Sequence, residues 1–461
     1  MKRITKDGTL RAGTNRRDFL KQSALVAGMG VWVATGKRAW GVEEQSPNSR
    51  INIASIGIGG KGDSDSDQAA KHGNLVAICD IDDKRLDGKG NRYPDAKKFN
   101  DFRKMFDKMH KEIDAVTIST PDHTHAVATM MAIKLGKHVY TQKPLTHDVW
   151  EARQLRLAAR QYKVASQMGN QGSAENGLRE AVEIVHSGAL GAIKEAHVWT
   201  NRPIWPQAPG VMARLPEEPV PANVHWDEFI GTAPMRPFNA KYQPFNWRGW
   251  WDYGTGALGD MGCHTANLLF RALKLEYPSS IQGDAGDLNP ETYPSWATVN
   301  FEFPARGDMV PVKVTWYEGH KEGKKNRPPI ELLQGEKFVD SGSLLVGEKG
   351  TLYSPDDYGA NYVLLSKEAF KDYKKPEPTL ARNGHGDEGM KVEWLEMARG
   401  GKPAYSNFDN AGLLAEFILL GNVAIKAEGK KLEWDGPNMK FPNAPDAEKF
   451  LKREYRTPWS L

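Results

Sequence analysis

The sequence is poor in cysteine, in long apolar runs and in charge of one sign. Its two cysteines, Cys79 and Cys263, are too few and too far apart for a disulfide framework. Beyond the N-terminal stretch, no apolar segment approaches the length needed to cross a bilayer, so we expect no membrane span in the mature chain. The 62 lysines and arginines nearly balance the 58 aspartates and glutamates, and this interspersed charge gives no support to a nucleic-acid partner.

Length and composition indicate a globular protein of two domains. At 461 residues, 39% of them hydrophobic, the chain is long for one domain and can bury substantial cores. Its 45 glycines indicate much turn structure, and its 14 tryptophans offer aromatic surface to a ligand.

The first 41 residues have the layout of an export signal. Arg16 and Arg17 precede a modestly apolar stretch over 23–35, which is followed by small residues. This layout predicts a signal peptide over 1–41, and the paired arginines predict the Tat type, with the Tat translocon as a partner during export. The alternative is a surface amphipathic helix with a chance arginine pair. With residues 42–50 as a polar linker, we expect a periplasmic or otherwise exported protein.

The next segment has the order of a dinucleotide-binding unit. An apolar run over 51–58 predicts a strand, and a second strand over 74–78 ends near Asp80. Glycines after the first strand permit a tight turn and close approach to a pyrophosphate, and the following helix presents its N-terminus to that anion. A carboxylate at 80 accepts hydrogen bonds from the adenosine ribose and repels a 2′-phosphate. The pattern predicts NAD, with NADP as the less favoured alternative, bound by Gly57, Gly59, Gly60, Gly62 and Asp80.

Two further predicted strands, 113–119 and 138–141, each end in a polar cluster. The first is followed by TPDHTH at 120–125 and the second by QKP at 142–144, with a helix-like run over 126–135 between them. Alternating strands and helices predict an α/β fold with a parallel, doubly wound sheet, whose ligands gather beyond the carboxyl ends of the strands. Taken alone, each cluster is better explained as a polar turn; its position favours a role in the site.

These residues, together with GTGALGDMGCHTANLLFRAL at 254–273, resemble the Gfo/Idh/MocA family of pyridine-nucleotide enzymes. The likeness runs in order from about Ile51 to Trp434 and is strongest to the Tat-exported bacterial members. It implies an N-terminal Rossmann domain over 51–169 and an α/β domain with a large open mixed β-sheet over 170–461. It also implies a homo-oligomer formed through the open face of that sheet.

The resemblance also assigns site residues. The lysine of the family's E-K-P tripeptide contacts substrate and the nicotinamide ribose, and it corresponds to Lys143, with Gln142 in place of the glutamate. The family's D-x-G-x-H pattern corresponds to Asp260 and His264, and that histidine is commonly the catalytic acid/base. The residues that the resemblance places along the cofactor are Thr120, Pro121, His123, His125, Gln142, Lys143, Asn170 and Gln171.

The spacing around Asp260 supports the same chemistry. We expect a helix to begin near Asp260, so that Asp260 and His264, four residues apart, face the same side. A carboxylate beside an imidazole fixes its tautomer and raises its basicity, which suits removal of a hydroxyl proton during hydride transfer. Lys143 on the same oxygen would stabilise alkoxide character. The alternative is a helix-capping aspartate and a buried histidine with satisfied hydrogen bonds.

A metal site is the less favoured interpretation of the histidine-rich cluster. Asp122, His123 and His125 could join Asp260 and His264 as ligands, but nothing in their spacing requires it. We therefore expect no metal.

The second half of the chain is rich in tryptophan near the predicted site. Aromatic faces pack on the apolar faces of sugar rings while charged groups take the hydroxyls. As a group these residues favour a carbohydrate substrate, although each tryptophan alone is as well explained as core. The residues concerned are Trp199, Trp205, Trp247, Trp250, Trp251, Arg202, Arg248 and Asp252.

The remaining elements of the second half follow from its hydrophobic pattern. Proline density predicts an irregular surface loop over 201–221. The helices are predicted over 174–187 and 410–428, and the strands over 193–199, 296–303, 310–317, 343–346 and 362–365.

Three functions are compatible with these residues. The first is an NAD(P)-dependent oxidoreductase that acts on a secondary hydroxyl of a sugar or glycoside and holds its cofactor tightly. The second is a glycosidase of the same family that oxidises a ring hydroxyl transiently, eliminates the aglycone, adds water and returns the hydride. The third is a binding protein that has lost activity, for which Gln142 is the sole support.

Overall fold

The computed structural model describes residues 50–461. The predicted signal peptide and the predicted linker up to residue 49 lie outside the described residues. The domain limits proposed from the sequence stay predictions, and the two sheets below are described by their own strands.

Six short strands form a parallel sheet in the order β3-β2-β1-β4-β5-β6. This order is that of a dinucleotide-binding sheet, in which the strand order reverses between β1 and β4. The predicted α/β fold with a doubly wound parallel sheet is therefore confirmed. The strands are β1 (Asn52–Ile56), β2 (Asn74–Cys79), β3 (Lys97–Phe99), β4 (Ala115–Ile118), β5 (His138–Thr141) and β6 (Ser166–Met168).

Helices cover both faces of this sheet and connect its strands. Aspartate side chains cap two of them, because Asp82 and Asp101 accept hydrogen bonds from the backbone of Lys84 and Arg103. The helices are α1 (Lys61–His72), α2 (Asp83–Arg92), α3 (Phe102–Met109), α4 (Asp122–Lys134) and α5 (Val149–Tyr162). The structure extends the helix expected over 126–135 back to Asp122, so the polar cluster after β4 opens a helix.

A second, mixed sheet of nine strands follows. Its main path is β14-β13-β12-β7-β10-β9-β8-β15, with β11 paired to β10. β7 and β10 run parallel, whereas the other neighbouring pairs run antiparallel. The strands are β7 (Ile193–Trp199), β8 (Ser280–Gly286), β9 (Trp296–Phe303), β10 (Val312–Lys321), β11 (Lys324–Lys325), β12 (Gly342–Gly347), β13 (Thr351–Ser354), β14 (Val363–Leu364) and β15 (Leu432–Glu433).

The second half of the chain contains six α-helices. They are α6 (Asn176–His186), α7 (Trp226–Ile230), α8 (Gly256–Thr265), α9 (Asn267–Ala272), α10 (Gly386–Ala398) and α11 (Phe408–Lys426). The prediction that a helix begins near Asp260 is wrong, because α8 begins at Gly256. Gly256 has a φ of +64°, and a Cβ there would lie 2.4 Å from the Tyr293 ring. Asp260 therefore lies inside the helix and cannot cap it.

Helix α11 is more apolar than expected, because the sequence predicted no later segment long and apolar enough to cross a bilayer. Among the described residues it is the one helix long and apolar enough to cross a membrane, with a mean hydropathy of 1.4, yet 83% of that window is buried inside the protein. Its Phe417 packs against Phe301 and Phe303 of β9. The helix is therefore a core helix of the second half.

Candidate active site

A cavity of about 600 Å³ lies beyond the carboxyl ends of β1, β2, β4 and β5. Residues of both halves line it, from the glycine loop after β1 to helix α8. In parallel α/β sheets, ligands bind at this edge, where the strand order reverses. The structure therefore has a large cavity at the place where the sequence predicts the cofactor site.

Glycine is required at two places in the loop between β1 and α1. Gly57 has a φ of +75°, and a Cβ on it would lie 2.6 Å from the Ser119 carbonyl oxygen. A Cβ on Gly62 would lie 1.9 Å from the Gly57 carbonyl oxygen, so only glycine lets the helix pack on the strand. Gly60, the N-cap of α1, has open space where a Cβ would be, and no side chain of the described residues caps this helix. This loop and free helix N-terminus suit a pyrophosphate.

Asp80 occupies the end of β2 as predicted. Its carboxylate accepts hydrogen bonds from the backbone N–H of Ile58 at 2.9 Å and of Asp82 at 3.0 Å. Burial raises its pKa, and the Arg85 guanidinium, 3.9 Å away, acts in the opposite direction. Each carboxylate oxygen can accept a further hydrogen bond. Asp80 is therefore placed to bind ribose hydroxyls, while the loop and Asp80 together fit a dinucleotide.

The cluster after β4 divides into two groups. Thr120, Pro121 and Asp122 line the cavity. His123 and His125 point into the fold: His123 Nε2 lies 2.7 Å from the Phe229 carbonyl oxygen, and the two ring nitrogens of His125 lie 2.7 and 2.8 Å from the Pro144 and Thr120 carbonyl oxygens.

Burial keeps both histidines neutral. It lowers the pKa of His123 well below its usual range and lowers the pKa of His125 to about 4. His125 links the backbone of the TPDHTH cluster to that of the QKP cluster. Both residues therefore hold the walls of the cavity and do not line it.

The predicted pair Asn170 and Gln171 also divides. Gln171 lines the cavity, and its Oε1 is buried without a hydrogen-bond partner among the described residues. Asn170 is fully buried, and its side-chain amide donates to the Cys263 carbonyl oxygen at 3.2 Å. Asn170 thus positions helix α8 from behind.

Lys143 and Asp260 form the ionic centre of the site. The Lys143 ammonium donates to the Asp260 carboxylate at 2.8 Å and to the Asp260 carbonyl oxygen at 2.7 Å. Arg248 Nε donates to the same carboxylate at 3.1 Å, and Arg202 Nε lies 3.6 Å from it. Burial opposes ionisation, but Lys143 and Arg248 hold the pKa of Asp260 well below its usual range. Three cations thus surround one carboxylate at this end of the cavity.

His264 lies on the cavity wall with its ring edge-on to Tyr358, 5.0 Å between ring centroids. Burial and then the nearby Lys143 charge lower its pKa well below the usual range, so the imidazole is neutral at neutral pH. Its Nδ1 is buried and has no hydrogen-bond partner among the described residues.

The structure does not show the expected pair between the Asp260 carboxylate and the His264 ring. The two residues share a helix, but the Asp260 carboxylate points to Lys143 and Arg248, which offer full charges to it. The expected rise in the basicity of His264 is replaced by a lowered pKa.

Asp122 is a further buried acid on the cavity wall. It accepts a hydrogen bond from the Thr255 hydroxyl at 2.6 Å. Burial, the largest effect, raises its pKa to about 7. Asp122 can therefore exchange a proton near neutral pH, and no pattern in the sequence predicts this property.

The tryptophan cluster is mostly core. Trp247 lines the cavity beneath the Arg248 guanidinium, which lies 4.2 Å from its ring. Trp199 stacks on Tyr353, and Trp251 lies against Tyr293. The other four predicted tryptophans are at most 9% exposed and do not line the cavity: Trp199, Trp205, Trp250 and Trp251.

Residues that the sequence analysis did not assign complete the wall. Tyr358 and Asp357 come from the loop between β13 and β14, Phe245 precedes Trp247, and Phe102 and Trp459 lie at the other end. These residues belong to no recognisable motif, and only the tertiary fold brings them together. In the described part of the chain, no group of three or more His, Cys, Asp or Glu side chains is arranged to hold a metal ion.

Comparison with known proteins agrees with this geometry. The family model described as "Oxidoreductase family, NAD-binding Rossmann fold" matches residues 51–170. The model of the same family's C-terminal alpha/beta domain matches residues 178–355.

Among curated proteins, the chain is similar to a glycosyl hydrolase family 109 protein of Solibacter usitatus. The two are 32% identical over 157 residues, 31% of this chain and 35% of the relative. An NADP(+)-dependent scyllo-inositol 2-dehydrogenase of Bacillus subtilis is 27% identical over 221 residues, 47% of this chain and 50% of the relative. The alignments thus span half or less of these relatives.

Among solved structures, the fold is similar to that of the WlbA dehydrogenase of Bordetella pertussis in complex with NADH and UDP-GlcNAcA. The TM-score is 0.58 at 15% identity, over 83% of this chain and 98% of that one. At 15% identity, this similarity shows a shared fold only.

Proposed function

The chain belongs to the Gfo/Idh/MocA oxidoreductase family and carries its NAD-binding Rossmann domain, and on this basis we propose that it acts on a secondary hydroxyl of a sugar or glycoside with NAD held tightly. NAD is favoured over NADP because Asp80 would face the adenosine ribose. The proposed reaction is removal of a hydride from the carbon that bears the hydroxyl.

One observation supports a polyol as the substrate. Buried polar atoms of three residues that line the cavity have no hydrogen-bond partner among the described residues: the acceptors Gln171 Oε1 and Asp357 Oδ1, and His264 Nδ1. An unpartnered buried polar group costs about 1–3 kcal/mol. A polyol offers hydroxyls that donate and accept at once, so it can satisfy all three. An apolar substrate would leave them unpaired.

The residues of the site have separate roles in such a reaction. Bound NAD supplies the hydride acceptor. His264, kept neutral by burial, can accept the hydroxyl proton, and the Lys143 ammonium can donate a hydrogen bond to the same oxygen as negative charge develops there. Asp260 positions Lys143 through two hydrogen bonds.

The glycosidase hypothesis is the second candidate. It is favoured by the similarity to the glycosyl hydrolase family 109 protein. It uses the same base and the same cofactor, since a transient ketone acidifies the neighbouring C–H, elimination releases the aglycone, water adds, and the hydride returns.

The purified protein with its own cofactor separates these candidates. Chromogenic glycosides are added without NAD, and sugars and inositols are tested for reduction of the bound nicotinamide by absorbance. Release of the chromophore supports the glycosidase, whereas reduced nicotinamide with oxidised sugar supports the dehydrogenase. Denatured protein that releases no dinucleotide would contradict both.

Replacement of His264 tests the assigned base. We expect His264→Ala to lower turnover by about 10²–10⁴-fold, the usual contribution of general base catalysis, while the bound dinucleotide is retained. His320→Ala, on the exposed end of β10, is the matched control and should leave turnover unchanged. Full activity in His264→Ala would refute the assignment.

Export and assembly belong to the same proposal. The paired arginines at 16 and 17 support export through the Tat route, which carries folded proteins, so NAD would be loaded before export. The homo-oligomer through the open face of the nine-stranded sheet stays a prediction.

A further inference from the structure

Residues 452–461, which we call the strap, bind both halves of the protein. The Arg453 guanidinium donates to the His123 carbonyl oxygen of α4 at 3.0 Å and to the Asp252 carbonyl oxygen at 2.8 Å. Arg456 Nη1 pairs with Asp227 of α7 at 2.7 Å. The two Arg453 contacts are half-buried and the Arg456 contact is exposed, and together they fix the path of the strap.

The strap carries Trp459 onto the wall of the cavity. Its ring packs against Phe102, with 5.7 Å between the ring centroids, and the Arg103 guanidinium lies 4.2 Å from the ring. Both partners open helix α3, directly after β3. Trp459 and Phe102 line the cavity together.

This end of the cavity is opposite to the catalytic end. β3 is the edge strand next to β2, whereas Lys143 follows β5 on the other side of the sheet. Asn100, which follows β3, links the ends of β3 and β2, because its side-chain amide donates to the Asp80 carbonyl oxygen at 3.1 Å. A dinucleotide with its pyrophosphate at α1 and its ribose at Asp80 must extend its adenine toward this end.

The chemistry of Trp459 suits a purine. Its indole ring offers a flat aromatic face, which stacks on bases. Because the indole N–H lies in the plane of the ring, a base stacked on the face does not accept from it, and stacking alone carries the contact.

We propose that Trp459 binds the adenine of NAD and that the strap thereby slows cofactor release. A residue more than 300 positions after the glycine loop would complete the adenine site. The proposal gives a physical basis for the tight cofactor binding assumed in the proposed function, and it rests on that part of it.

Three variants of the protein test this contact. Trp459→Ala removes ring and donor, Trp459→Phe keeps a ring without the N–H, and Ser460→Ala is the control on an exposed neighbour. The measurements are the dinucleotide content of the purified protein, the rate at which bound NAD exchanges with labelled NAD, and the affinities of the stripped protein for AMP and for nicotinamide mononucleotide.

We expect Trp459→Ala to speed NAD release and weaken AMP binding by about 5- to 150-fold, the range for loss of one base–aromatic stack. Binding of nicotinamide mononucleotide should not change. Trp459→Phe should fall between Trp459→Ala and the wild type, and Ser460→Ala should match the wild type.

Two results would overturn the proposal. Unchanged AMP binding in Trp459→Ala would show that the ring does not contact adenine. Equal weakening of AMP and of nicotinamide mononucleotide would show that the strap has a general structural role. These binding measurements need no sugar substrate, so they succeed or fail independently of the proposed reaction.

Discussion

Gln142 stands where the family resemblance leads one to expect a glutamate, and its surroundings explain the difference. Its Nε2 donates to the Asp65 carboxylate at 2.8 Å. Asp65, fully buried, also accepts from the Lys391 ammonium at 2.7 Å and the Lys61 ammonium at 2.8 Å. Asp387 pairs with both lysines and completes a network of two cations and two anions. A glutamate at 142 would add a third carboxylate against Asp65.

This arrangement predicts a specific rescue. Gln142→Glu should lower the free energy of unfolding by about 3 kcal/mol, because it buries an uncompensated charge. Adding Asp65→Asn to Gln142→Glu exchanges acid and amide, so the double variant should be destabilised by less than the sum of the two single variants. Denaturant unfolding of the four proteins measures this coupling.

Gln142→Leu, which removes the amide without adding charge, is the control. It should cost less than Gln142→Glu. Strictly additive effects of Gln142→Glu and Asp65→Asn would refute the like-charge explanation.

At the scale of single elements, β10 carries a buried acid in its apolar face. Val312, Val314 and Trp316 alternate on that face, and Glu318 continues it at 1% exposure. The Trp316 indole donates to the Glu318 carboxylate at 2.7 Å. Burial is the larger effect, and it raises the pKa of Glu318 to about 7.

The raised pKa makes the stability of the fold depend on pH. Because the folded pKa of about 7 exceeds the pKa of 4.5 of an unperturbed glutamate, the stabilising contribution is present below pH 4.5 and is lost as pH rises through 7. Glu318→Gln keeps an acceptor for Trp316 and removes the titration. Relative to the wild type, it should gain about 2–3 kcal/mol of unfolding free energy between pH 5 and pH 8.

Denaturant unfolding at both pH values measures this gain. Glu331→Gln, at an exposed position, should show no such gain and serves as the control. An identical pH profile for Glu318→Gln and wild type would contradict the buried titration.

Sequence pattern predicts elements best where they are short, apolar and bounded by turns. The strands at 138–141, 193–199 and 296–303 have the predicted limits. Helix limits were less predictable: α4 and α8 begin four residues earlier than expected, and the backbone N–H of His123 in the first turn of α4 donates to the Tyr253 carbonyl oxygen at 3.2 Å. Strand β8 and helix α10 have no strong periodic signal and were not predicted.

In the site, sequence spacing indicated the loop glycines and Asp80, and the family resemblance indicated Lys143, Asp260 and His264; all of them lie on or beside one cavity. It could not assign their partners. The four-residue spacing on α8 suggested a pair, but side chains from β5 and the 243–249 loop compete for the Asp260 carboxylate. The wall residues Tyr358 and Trp459 come from distant parts of the chain and carry no local signal.

At the scale of the whole molecule, residues of both halves line the cavity, and Trp459 of the strap lines one end of it. If export through the Tat route occurs as proposed, a tightly held cofactor should travel with the protein. We expect equimolar NAD in protein recovered from the periplasm and in protein retained in the cytoplasm by replacing Arg16 and Arg17 with lysine. Cell fractionation followed by dinucleotide assay measures both, and exported protein without NAD would contradict this prediction.

The two thiols of the chain have a practical consequence for following the strap. Cys79 and Cys263 are buried, and burial raises the pKa of each, that of Cys263 to about 12. A thiol that stays protonated and shielded reacts slowly with alkylating reagents. A single cysteine introduced at the exposed Ser460 would thus be the preferred site for a fluorophore or spin label, so the surroundings of the strap can be compared with and without bound dinucleotide without first removing the native cysteines.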